Sequence, residues 1–122
     1  MKVARDLVEL QELISQLELP DEIRESFRYK VNIPGNYYVK EGSDCKALFT
    51  CRLLNVSKEG ASIAIEKLSF HVGAILHLLF STESTVTDAV GKVVYIRRIE
   101  GGYKVGLQSI GKKDNIINQL LN

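Results

Sequence analysis

The sequence predicts a mainly β domain, a six-stranded antiparallel barrel preceded by an amphipathic helix and closed by a short carboxyl-terminal helix. Three observations carry that reading. Apolar residues recur at helical spacing at the amino terminus; the period changes to that of strands from Tyr29; and about six β-branched or aromatic segments then succeed one another, separated by short turn-forming clusters. At 122 residues and 45% hydrophobic, the chain has the size of one domain and can bury a core without metal or disulfide staples.

Taken in order, Val3, Leu7, Leu10, Ile14 and Leu17 recur at intervals of four and three with charged and amide residues between them, which predicts a helix over residues 2–18. Pro20 ends it. Two heptads do not make a coiled coil, so the stripe either packs on its own domain or meets a partner helix, a homodimer included. Val31, Ile33, Tyr37 and Val39 lie around Pro34-Gly35, and the further strand segments are Ala47–Leu54, Ala61–Ile65, Ile75–Phe80, Val86–Ile99 and Tyr103–Ile110. Asp114–Leu121, with Ile116, Ile117, Leu120 and Leu121 on one side, is the closing helix. The expected layout is a helix and joint over 1–22 and a barrel with its carboxyl-terminal helix over 23–122.

Sixteen Lys and Arg against fifteen Asp and Glu leave a formal charge of +1, which excludes the broad basic field that holds duplex DNA or an anionic membrane but permits a small anionic ligand. The apolar run from Gly73 to Phe80 is interrupted by His77 and is too short to span a bilayer, and the amino terminus meets acid and arginine too early for a secretory segment. A soluble, cytoplasmic protein without membrane insertion is expected. Cys45 and Cys51, six residues apart along one expected strand, would sit roughly 20 Å apart, beyond disulfide reach, and are expected to be reduced.

Two stretches could carry chemistry. In Leu54–Ile63, LNVSKEGASI, Asn55 and Ser57 are expected on one face of a strand and Gly60 at a point where a ligand can approach the backbone. The plainer reading is a hairpin turn in which Asn and Ser bond locally and Gly60 takes a positive φ. In Ile23–Arg28, IRESFR, the four-residue spacing places Arg24 and Arg28 on one side of a helix or of a strand, where two guanidinium forks could converge on one ligand; alternatively both are solvated or paired with Glu22 or Glu25. Other candidates carry less. His71 and His77 have no acid or cysteine at metal-ligand spacing. Ser57 lacks a nucleophile elbow or a nearby histidine, so no enzyme activity is expected. Arg97 and Arg98 alternate across a strand, so at most one could face a ligand.

Arg-x-x-x-Arg, then Asn-x-Ser-x-x-Gly, then strands ending in YKVGLQSI and a terminal helix resemble the PilZ domain, the bacterial receptor module for cyclic di-GMP, from about Ile23 onward. The resemblance implies a six-stranded antiparallel barrel with the ligand on its outer surface. It also implies that Arg24 and Arg28 grip guanine edges and phosphate while Asn55, Ser57 and Gly60 contact the guanine and the sugar-phosphate ring. The chemistry agrees, because a guanidinium fork reads guanine O6 and N7 and also binds phosphate bidentately. Ile23 stands where many members carry a further arginine, so binding of one ligand molecule or of a stacked pair stays open.

The resemblance further implies a stand-alone receptor without a cofactor that acts through an unidentified effector protein, in motility, attachment or exopolysaccharide control. A scaffold of the same fold that has lost its ligand is the alternative, against which the intact motifs count. A small RNA-binding barrel is a third class, disfavoured by the near-zero charge and the lack of an aromatic-basic stripe.

Overall fold

The computed structural model describes residues 3–16, 27–40, 47–81, 86–110 and 116–121. Six strands, β1 (Tyr29–Val39), β2 (Phe49–Val56), β3 (Gly60–Ile65), β4 (Ile75–Ser81), β5 (Val86–Ile99) and β6 (Gly102–Ser109), close into a barrel in the order β1-β2-β3-β6-β5-β4. Every neighbouring pair is antiparallel. Closure leaves no sheet edge for another chain to extend.

The period-two pattern explains the interior. Leu53, Ile63, Leu76, Leu78, Val93 and Val105 are fully buried inside the barrel, while Lys30, Arg52, Lys92 and Arg97 alternate outward. Of three register shifts, the one between Lys30 and Ile33 leaves the alternation of β1 intact, whereas those between Leu53 and Asn55 on β2 and between Val93 and Tyr95 on β5 exchange the inward and outward parity of the residues beyond them. Both lie on strands that flank the β3–β6 pair, and both re-aim an outward side chain. The Pro34-Gly35 pair does not break the first strand, which runs through it for eleven residues. Pro34 falls between Val31 and Asn32, which meet Ala4, and the stretch that pairs with β4 from Asn36 onward, where a missing N–H costs no ladder bond.

Helix α1 spans Leu7–Gln16; residues 3–6, expected within it, precede its first turn, and residues 17–18 lie outside the described residues. Asp6 caps it: its Oδ1 accepts from Glu9 N at 2.8 Å, and Glu9 Oε2 accepts from Arg5 N at 2.8 Å, a reciprocal arrangement that fixes the first turn. Ahead of the cap, Ala4 forms a parallel bridge with Val31 and its carbonyl accepts from Asn32 N at 2.7 Å, tying the segment to β1. Of the predicted stripe, Leu7 and Leu10 are buried in the barrel's own core with Ile14 packed beside them, whereas Val3 is 40% exposed. The helix therefore docks on its own domain; Leu17 and Pro20 lie outside the described residues.

A short helical segment, α2 (Ile116–Leu121), buries Ile116, Ile117 and Leu120 and packs on β5 and on α1. Gln119 Oε1 accepts from Val90 N at 2.8 Å, which pins the segment to β5. Elsewhere in the core, Tyr37 stacks on Phe49 with ring centroids 5.3 Å apart and meets Phe70 edge-on. Cys51 is a free, buried thiol, and Cys45 lies outside the described residues. Among the described residues, no helix is long and apolar enough to cross a membrane.

Candidate functional site

The placement of Arg28 is set by its neighbours. Phe27 and Tyr29 both turn toward the core and pack edge-to-face with centroids 4.9 Å apart, so the residue between them must point outward at the entry to β1. There Arg28 Nη1 donates to Asn55 Oδ1 at 3.0 Å. The two sequence motifs, separated by more than two dozen residues, thus meet on the outer wall. Arg24 lies outside the described residues.

Asn55 reaches the arginine because of the β2 register shift. Thr50 and Arg52 are outward in the first part of the strand; after the shift Asn55 is the outward residue and Val56 is fully buried. Ser57 behaves otherwise than expected. It lies past the end of β2, is 1% exposed, and does not stand beside Asn55 as a second presented side chain. Its Oγ accepts from Glu59 N at 3.2 Å and its N–H donates to Gly60 O at 2.8 Å. Ser57 therefore shapes the turn.

Gly60 departs from the plain hairpin-turn reading. Its φ is not positive; among the described glycines only Gly73 and Gly101 adopt that conformation. A glycine is needed because β6 passes so close that a Cβ at residue 60 would fall on the Leu107 carbonyl oxygen. The requirement is set by a neighbouring strand, which local sequence cannot display.

Ser109 binds this turn to the end of the chain. Its N–H donates to Glu59 O at 2.8 Å, and its Oγ donates to Lys58 O at 3.1 Å while accepting from Ile116 N at the start of α2, also at 3.1 Å. Sequence reasoning missed this serine, because the signal is the meeting of three segments rather than a spacing. Further down the same wall, Arg52 Nη1 donates to Asn32 Oδ1 at 2.7 Å. A cleft of about 400 Å³ lined by Thr50, Arg52, Glu66, Glu100 and Gly101 opens toward the far end of the β2–β3 pair and contains none of the motif residues. Arg97 and Arg98 are both exposed, and His77 stacks on Tyr38 with ring centroids 4.6 Å apart. Among the described residues, no cluster of side chains could hold a metal ion.

The structure thus presents a closed barrel with an arginine at its entry strand, bonded on the outer wall to an asparagine beside a serine-glycine turn. The chain matches the family model of the PilZ domain over residues 22–122 and belongs to that family, the receptor domains for cyclic di-GMP. PilZ domains are receptor and adaptor modules rather than enzymes. A search of curated proteins finds no match.

Proposed function

We propose that the protein is a receptor for cyclic di-GMP, gripped between Arg24 and Arg28 on the entry segment and Asn55, Ser57 and Gly60 on the barrel wall. The observation that carries this reading is the Arg28–Asn55 hydrogen bond at 3.0 Å, which holds one guanidinium over the second motif before any ligand arrives. A pre-positioned fork loses less side-chain entropy on binding. Its free N–H groups suit the guanine O6 and N7 pair or a phosphate oxygen. Ser57 supplies the turn geometry that sets the ligand-facing backbone; Gly60 keeps the wall flat where β3 and β6 meet.

The output is read by an effector protein, in the cytoplasm, through a change in the amino-terminal segment. Two routes support it. Residues 17–26 join the arginines directly to α1, and the 57–60 turn reaches α1 through Ser109 and α2. A ligand shifts α1 only by binding one arrangement more tightly than the other, and a coupling of about 1–3 kcal/mol is the usual scale.

Calorimetric titration of the purified protein with cyclic di-GMP, GTP and a short single-stranded RNA separates the classes. Saturable binding of cyclic di-GMP alone supports the receptor. Binding of none of the three marks a scaffold, and binding of RNA alone marks a nucleic-acid barrel.

A further inference from the structure

Strand β4 is apolar on both of its faces. Leu76, Leu78 and Phe80 fill the barrel interior, while Ile75, His77 and Leu79 alternate outward and are half-buried. A solvated antiparallel wall ordinarily alternates apolar with polar residues, and a strand that is apolar throughout is the kind that is covered on both sides. The described helices pack on β1, β3 and β5 rather than on β4, so among the described residues no helix covers its outward half.

The register completes this face. Tyr38 on β1 and Val90 on β5 flank His77, and the Tyr38 and His77 rings stack with centroids 4.6 Å apart and planes within 5°, which makes the middle of the wall flat. Two exposed charges stand at its corners. Asp88 pairs with Leu79, and Lys40 lies beside Ile75, to whose carbonyl its N–H donates at 2.9 Å. Each is one strand and two residues from His77, about 4.8 Å across and about 6.7 Å along, in opposite directions.

A half-turn about an axis through His77, normal to the sheet, exchanges these corners. It sets Asp88 of each copy over Lys40 of the other, Ile75 over Leu79, and Tyr38 over Val90. Lys92, which pairs with Ile75 at the third corner, falls on Asn36 and not on a like charge. A patch complementary to itself under a half-turn is what an isologous dimer requires, and sheets packed face to face keep their strands within about 30° of one another. The formal charge of +1 leaves little repulsion between copies.

With α1 docked on its own domain, we propose that the protein self-associates through the outer wall of β1, β4 and β5 as a two-fold dimer, with Asp88 of each copy paired to Lys40 of the other around the stacked His77 and Tyr38 rings. In the barrel order β4 lies opposite β3, so the dimer turns the Arg28–Asn55 wall of each copy away from the other and leaves it open. Three strands of a curved wall make a small contact, and the dimer is correspondingly weak.

Sedimentation velocity over a concentration series tests this, with circular dichroism on each variant. The parent is expected to pass from monomer to dimer as concentration rises. Asp88→Lys and Lys40→Glu each set like charges against one another at both contacts and are expected to weaken dimerisation by at least about ten-fold, with circular dichroism unchanged because both residues are exposed. An equimolar mixture of the two variants is expected to recover dimerisation, since each then meets its opposite charge in the other. A parent that stays monomeric at the highest concentration overturns the proposal. So do variants that dimerise as the parent does, or a mixture no stronger than either variant alone.

Discussion

Arg28 and Asn55 are separated by 27 positions in sequence, yet the guanidinium of one donates to the side-chain oxygen of the other at 3.0 Å on the outer wall of the barrel. A solvent-exposed bond of this kind adds little to stability, because water competes for both partners. Its consequence is positional: the arginine is held where a ligand on the second motif must meet it.

Substitution should therefore affect binding and spare the fold. Arg24→Ala and Arg28→Ala are each expected to weaken cyclic di-GMP binding by about 1–3 kcal/mol, or about five-fold to more than a hundred-fold, with unchanged circular dichroism. Asn55→Ala is expected to cost less, about 0.5–1.5 kcal/mol. Because the two residues are bonded, the double variant Arg28→Ala/Asn55→Ala should fall short of additivity. Full additivity in calorimetry would mean that the bond has no part in the site.

Gly60→Ala is expected to act first on stability. The added methyl would collide with the Leu107 carbonyl, so β3 and β6 must separate, at a cost of about 1–3 kcal/mol as for other overpacked sites. Urea unfolding reads this directly, and a variant as stable as the parent would contradict the close approach.

Hydrogen exchange with and without cyclic di-GMP should show protection at residues 20–30 and a change of either sign across α1. Ser109→Ala removes the hydroxyl that bridges Lys58 and Ile116. It is expected to speed exchange in Ile116–Leu121 and to reduce the ligand response of α1. Protection confined to the motif residues would place the partner surface on the barrel wall and its bound nucleotide instead.

Burial pushes the Cys51 thiol up from its ordinary 9.0 to about 12, and burial also raises the Tyr37 phenol above its ordinary 10.0, partly offset by a hydrogen bond with Ser69. In both cases the unfolded chain gives up its proton first. The contribution to stability is complete below the ordinary thiol pKa and is lost as pH rises from about 9 toward 12. Cys51→Ala is expected to flatten part of that decline in urea midpoints measured across the window. An unchanged slope would mean that the thiol does not drive it.

The alternation of β-branched and polar residues made the six strands legible, because a half-buried barrel wall imposes a period of two wherever the ladder is regular. It also made visible the two motifs, whose residue types and spacing survive as a string. The features that stayed hidden depend on neighbours distant in sequence. Asp6 and Glu9 start α1 later than hydrophobic spacing alone suggests. Ser57 is spent on the turn rather than presented beside Asn55, since strand alternation stops at Val56. Gly60 and Gly106 owe their lack of a side chain to Leu107 and Tyr95, contacts that no local window contains.

The most direct test of the receptor site is an amide chemical-shift titration of the labelled protein with cyclic di-GMP. On this account, saturable shifts clustered at residues 22–30 and 55–62 are expected. Shifts confined to the Thr50, Glu66 and Gly101 end of the barrel, or none at saturating ligand, would contradict it.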